Sequence, residues 1–238
     1  MQLKNEVQDT QVTLSSKQYG GHDAFNALFL PGSGSRKRGV ILMHGRNAQP
    51  DGVVVGIMRK SLQTLGYSTL SIQNPIPKNE DEFPNYVSDI KGENYLFPEA
   101  YARVDASLAD LKSRGIKEAT LLGFSMGARL LAAYLAQSRA SVMPINGLVV
   151  LSGGINGVGP LNIATSLQRV QQSVLDVCGQ GDADVASSAE ARKAGYESGT
   201  GAKYSQVILP GAVPHNFAGH EKALVETVHS WISSVAPA

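Results

Sequence analysis

Residues 121–130 read LLGFSMGARL. Gly123, Ser125 and Gly127 take the spacing G-x-S-x-G, between an apolar run that reads as a strand and a run that reads as a helix. A serine hydroxyl is a poor nucleophile and needs an adjacent base. A sharp turn from strand to helix lifts the hydroxyl above the sheet edge, and small flanking residues let the chain make that turn. The helix that follows presents unpaired N–H groups and the positive end of its dipole, where an oxyanion would be favoured. In a chain with 25 glycines, one such match carries little weight alone. The rest of the sequence has to supply its partners.

A base is expected late in the chain. His215 lies in LPGAVPHNFAGH, directly after the last apolar run, on a loop where a catalytic imidazole belongs. His220 sits at the start of the final helical pattern, where a polar helix-end residue is the plainer role, and His229 falls inside that pattern. A third group must orient the imidazole and stabilise its cation. Asp182 and Asp184 both follow SVLDVCG; Asp182, at the centre of GQGDADV, is the expected acid, and Asp184 is read as a cap for the next helix. Asp176 lies within the strand pattern and is the poorer candidate. An oxyanion hole needs two donors. The backbone N–H of Arg46, in LMHGRNAQPDG, is expected to act with that of Met126, Gly45 letting the chain pass close to substrate. His44 is then a structural residue that ties this loop down. Arg46 and Arg129 either select an anionic substrate or are ordinary exposed arginines. The long irregular segment 74–98 carries Phe83, Tyr86, Tyr95 and Phe97. It reads either as an aromatic flap over an acyl site or as a surface loop pinned by its own rings.

These residues need a scaffold that brings them together. Apolar runs at 39–45, 67–72, 119–124, 147–153, 173–179 and 205–211 read as strands. Helical patterns at 53–66, 98–115, 126–138, 187–195 and 219–235 separate them. Pro98 near one helix start and Gly115 just past its end follow the usual asymmetry. Strands that read as continuous apolar runs and alternate with helices imply an α/β fold with a mainly parallel sheet and helices on both faces. QVTLSS and AFNALFLP, before residue 38, read as two antiparallel strands at one edge. His44 to Arg46, Gly123 to Ser125, Gly179 to Asp184 and the loop of His215 then fall at strand carboxyl ends, where open parallel sheets bind ligands.

The whole chain of 238 residues, 42% hydrophobic and 17% charged, reads as one domain of ordinary globular composition. A net charge of +1, with no basic cluster beyond SRKRG, argues against a nucleic-acid partner. No apolar run approaches the roughly 18 residues needed to span a bilayer. The N-terminal MQLKNEVQDT lacks a hydrophobic signal core, so the cytoplasm is the default expectation; a periplasmic or secreted setting stays open if a leader was removed. The single Cys178 forms no intrachain disulfide and is read as a small buried residue. No Walker lysine motif, H-E-x-x-H or cysteine pair is present, so no metal or cofactor is expected.

The segments HGR, GFSMG, GQGDADV and PHNF, in that order, resemble the α/β-hydrolase superfamily over nearly the whole chain after residue 38. The order Ser125, Asp182, His215 is the order of that superfamily. The chain looks most similar to the small single-domain members, the carboxylesterase, thioesterase and dienelactone-hydrolase-like group. Dienelactone hydrolases carry cysteine at the nucleophile position; Ser125 here shifts the expectation toward ester or thioester hydrolysis through an acyl-enzyme. The interval between the strands near 150 and 175 is too short for a full cap domain. Open alternatives are a peptidase or amidase on the same fold, or a non-catalytic binding protein, for which an intact triad would serve no purpose. The expected partner is a small ester or thioester.

Overall fold

The run at 38–43 forms a strand with every residue buried, as a sheet covered on both faces requires. The computed structural model describes residues 9–35, 37–76, 96–138, 140–155, 159–199 and 201–235. In chain order the strands are β1 (Thr10–Ser15), β2 (Ala24–Leu30), β3 (Arg38–Met43), β4 (Ser68–Ile72), β5 (Glu118–Phe124), β6 (Ile145–Leu151), β7 (Ser173–Gly179) and β8 (Tyr204–Leu209). The described α-helices are α1 (Val53–Thr64), α2 (Leu96–Ser113), α3 (Met126–Leu135), α4 (Ile163–Leu167), α5 (Ala183–Ser187), α6 (Ala189–Glu197) and α7 (Glu221–Val235).

The sheet runs β1-β2-β4-β3-β5-β6-β7-β8. β1 and β2 are antiparallel to each other, and β2 is antiparallel to β4. Every pair from β4 through β8 is parallel. The fold is therefore α/β, with the antiparallel N-terminal edge that the sequence implied. After β3 the chain places β4 on one side, then crosses to place β5 on the other. That reversal is a topological switch point, and it opens a crevice at the carboxyl ends of β3 and β5. Met43 pairs with Gly123, so His44 and Ser125 leave the sheet from neighbouring positions.

Period-two alternation sorts the strand side chains into two cores. Ile41 and Met43 face one core, with Leu121 and Val150, against Leu108 of α2, Leu130 and Leu131 of α3 and Ile163 of α4. Val40 and Leu42 face the other, with Leu122 and Val149, against Met58 and Leu62 of α1 and Val228 and Ile232 of α7. At the amino end of the sheet, Arg38 donates to Glu118 at 2.8 Å across paired strands. No helix among the described residues is long and apolar enough to cross a membrane.

Two expectations change. The helical pattern at 187–195 is α6, Ala189–Glu197, and a further short helix that the sequence did not suggest, α5, precedes it from Ala183, directly after Asp182. The Ser188 hydroxyl bonds the Val185 carbonyl at 2.9 Å at the break, an alternative that serine offers to the continuous ladder. Phe97 belongs to the first described turn of α2 and is buried edge-on against Tyr101, with ring centroids 6.2 Å apart. It packs in the core and is not part of an open flap. Phe83, Tyr86 and Tyr95 lie outside the described residues.

Candidate active site

Ser125 joins β5 to α3 with φ 52 and ψ −111, a backbone conformation that costs a non-glycine residue on the order of 1–3 kcal/mol. The surroundings hold it there. Its N–H donates to the Leu151 carbonyl at 2.8 Å, tying the turn to the end of β6. A Cβ on Gly123 would run into the Ala128 backbone, and one on Gly127 into the Met43 carbonyl. Both glycines are therefore required by close approach of backbone, which is what the G-x-S-x-G spacing implied. The Met126 N–H, at the first position of α3, has no acceptor within its own helix.

The loop after β3 lies against this turn. A Cβ built on Gly45 would stand 3.0 Å from the Phe124 ring and 3.4 Å from Ser125 Cβ. Arg46, the next residue, is exposed. His44 is buried beneath the loop. The Asn74 N–H donates to His44 Nε2 at 3.1 Å, so Nδ1 carries the proton and donates to the Gly45 carbonyl at 2.7 Å. The Asn74 side-chain amide donates to the His44 carbonyl at 2.6 Å, closing the lock. His44 is thus a tie, as its sequence position suggested; Asn74 was not foreseen, since only the folded chain brings residues 30 positions apart together.

This lock makes stability pH-dependent. Burial, reinforced by the charge of Arg103, lowers the His44 pKa from 6.5 to about 4. Between those values the unfolded chain binds a proton that the folded protein refuses. Stability is therefore complete above pH 6.5 and falls as pH drops toward 4. The expected loss is about 3 kcal/mol at most. Urea unfolding of wild type and His44→Gln across about pH 7 to 4.5 checks this. The variant should start less stable and show a flatter pH dependence; parallel losses in both proteins would assign the effect to other groups.

The acid and the imidazole come from adjacent loops after β7 and β8. Cβ atoms on Gly179 and Gly181 would strike the backbone at Val213 and Ala212, so the two loops run in direct contact. The Gln180 N–H donates to the Leu209 carbonyl and the Gly211 N–H to Gln180 Oε1, each at 2.9 Å. In this register Asp182 Oδ2 accepts from His215 Nδ1 at 2.6 Å. That bond leaves Nε2 as the ring nitrogen with the lone pair. The His215 side chain is 45% exposed and that of Asp182 only 11%. Asp182 occupies the N-cap position of α5 but makes no side-chain cap bond there; its carboxylate is turned to the imidazole instead. Asp184 is exposed in the first turn of α5 and does not cap it, contrary to expectation. Asp176 is fully buried in β7.

Two further residues steady His215. The Ser152 hydroxyl donates to the His215 carbonyl at 3.1 Å, and Ser152 itself takes φ 49 at the end of β6. The Phe124 ring stands 5.1 Å from the imidazole, centroid to centroid, and so links the serine turn to the histidine loop. The small residues in LSGG at a strand end were the available signal for Ser152; Phe124 had none. Arg129, on α3, is partly buried with its guanidinium against Gly154, and burial plus the neighbouring Arg46 charge lowers its pKa. The structure therefore brings Arg46 and Arg129 into mutual range. The His220 carbonyl accepts from the Leu224 N–H at 3.1 Å at the start of α7, and His229 packs edge-on against Tyr67. A groove of about 380 Å³ between α1 and α7 includes His229 and none of the site residues.

Comparison with solved structures gives the fold a name. A dienelactone hydrolase from Anabaena variabilis superposes with a TM-score of 0.71 at 18% identity, over 97% of this chain and 99% of that one. Est1E from Butyrivibrio proteoclasticus superposes with a TM-score of 0.68 at 17% identity, over 94% and 98%. An α/β serine hydrolase homologue from Coxiella burnetii gives 0.65 at 18% identity, over 99% and 100%. This chain has the α/β-hydrolase fold of these proteins. No curated protein matches it in sequence. The model of one protein family matches residues 88–234, more than half of the chain, and on that match the chain belongs to the family described as "Protein of unknown function (DUF3530)".

Proposed function

We propose that this protein is a serine hydrolase that cleaves small carboxylic esters or thioesters through an acyl-enzyme intermediate. The observation that carries the reading is the 2.6 Å bond between Asp182 and His215, made at the same sheet edge as the left-handed turn at Ser125. A carboxylate, an imidazole with an available Nε2 and a strained serine at a switch point are the parts acyl transfer needs. The named neighbours, a dienelactone hydrolase and a serine hydrolase homologue, support hydrolysis as the reaction class.

In this reading His215 Nε2 takes the Ser125 proton as Oγ attacks the substrate carbonyl. The oxyanion that forms is held by the N–H groups of Arg46 and Met126; losing one such donor costs about 10²–10³ in turnover. The C–O or C–S bond to the leaving group then breaks, and the imidazolium returns the proton to the departing alkoxide or thiolate. Water, deprotonated by the same nitrogen, attacks the acyl-serine. Its collapse releases the acid, and His215 reprotonates Ser125. Asp182 keeps Nδ1 protonated and offsets the imidazolium charge throughout.

A fluorophosphonate probe tests the reading. It should label wild-type protein on Ser125, and absence of labelling at Ser125 would sink the proposal. A series of p-nitrophenyl esters then addresses the acyl chain. With no cap-sized insertion in the chain, kcat/KM is expected to be highest for short acyl groups. A steady rise from acetyl to dodecanoyl would contradict that expectation.

A further inference from the structure

Arg192, on α6, is fully buried and takes no part in the reaction above. Its Nε donates to Asp176 Oδ2 at 2.7 Å, and one terminal nitrogen donates to both the Val185 carbonyl and the Ser188 hydroxyl, each at 2.7 Å. Asp176 is equally buried, and the same Oδ2 accepts from the Tyr204 hydroxyl at 2.7 Å and Gln206 Nε2 at 2.9 Å. Burial works against the Arg192 charge, and the Asp176 carboxylate more than restores it. A buried ion pair is poor value for stability, because apolar packing of similar volume usually does as well. Its place in the fold suggests another use.

The network ends on α5. That helix has only five residues, Ala183–Ser187, and a single turn has no stability of its own. Its amino end is Asp182. Its carboxyl end includes the Val185 carbonyl, on which the Arg192 guanidinium and the Ser188 hydroxyl converge. Arg192 thus pins the far end of the turn to Asp176 in β7, while the near end presents the carboxylate to His215. The guanidinium reaches the carboxylate from Nε and the carbonyl and hydroxyl from a terminal nitrogen, at a fixed spacing that a lysine ammonium, a single nitrogen on a flexible stem, does not reproduce.

We infer that Arg192 is a positioning residue for the acid–imidazole pair: anchored on Asp176, it fixes the short helix that aims Asp182 at His215. The inference rests on the triad reading of the preceding section.

The test is a double-mutant cycle of Arg192→Lys and Asp182→Asn, assayed with p-nitrophenyl acetate, each variant checked by its urea midpoint. Arg192→Lys should lower kcat by up to about 10²-fold, as a misplacement near 1 Å does, and leave KM unchanged because Arg192 touches no substrate. In the Asp182→Asn background, Arg192→Lys should cost nothing further, because the group it positions is already gone. A merely structural role would give the same loss in both backgrounds. If Asp182→Asn is inactive and Arg192→Lys keeps full kcat, or if the two losses multiply, the inference is overturned and the triad reading stands. If Asp182→Asn keeps full activity, the triad reading fails, and the inference with it. Should Arg192→Lys not fold, Ser188→Ala removes another donor to the same carbonyl, and the same cycle decides with the same outcomes.

Discussion

Ser125→Ala is expected to give a folded protein without the proposed ester hydrolysis, kcat falling by as much as about 10⁶-fold. Alanine keeps the Cβ and so inherits the φ 52 strain without relieving it. The bonds that hold the turn, such as Ser125 N–H to Leu151, are made by backbone. The urea midpoint should therefore stay close to wild type while turnover disappears. Ser125→Gly separates the two effects further. It loses the same hydroxyl and relieves the left-handed backbone, so it should be inactive and more stable than Ser125→Ala. Groups that act as one unit are grossly non-additive. His215→Ala and the Ser125→Ala, His215→Ala double variant should thus share the same low residual rate. A double variant far slower than either single one would mean that His215 and Ser125 do not work together, and the assignment of the base would fall.

Asp182→Asn should cost up to about 10⁴ in kcat while leaving the fold in place. The amide can no longer hold Nδ1–H against an accepting carboxylate, so the imidazole turns to the other tautomer and its Nε2 ceases to be a base. Asp182 makes no side-chain cap bond to α5, so the helix loses no hydrogen bond by the change. Asp184→Asn is the control: two residues on, exposed, and bonded to no histidine, it should leave kcat essentially unaltered. Steady-state kinetics and urea midpoints for both variants decide between them. A large loss at Asp184 with a mild one at Asp182 would transfer the role to the other acid. Small effects at both would remove the acid from the mechanism altogether.

The features legible in the sequence are those with local causes. Buried parallel strands must be apolar on both sides, so GVILMHG and SVLDVCG could be read as strands without reference to anything distant. Gly123 precedes Ser125 because a side chain there would strike the Ala128 backbone five residues on, a local demand; Gly127 is needed because of the Met43 carbonyl on β3, and its place is legible only through the spacing it shares with Gly123. The candidate residues at strand ends follow from the same alternation, since in a parallel sheet every carboxyl end lies on one edge. Helix boundaries were less legible. The pattern at 187–195 matches α6 to within two residues at each end, but α5 is not legible, because five residues are too few to show a helical period. Phe97 misled because an aromatic beside a long irregular segment has the same composition whether it caps a pocket or fills a core.

The sequence by itself thus determined the layer architecture, the serine turn and the short list of partner groups, because periodicity and backbone sterics act over a few residues. Only the tertiary structure decided which acid meets which histidine: Asp182 and His215 are 33 positions apart and meet because two glycine-lined loops pack backbone against backbone. The lock between Asn74 and His44, the Ser152 tie to the His215 loop and the buried Arg192 network belong to the same class. Each joins segments that the order of strands makes neighbours. Strand order is set by how two cores close around the sheet, a global packing outcome with no signature in any single stretch of chain.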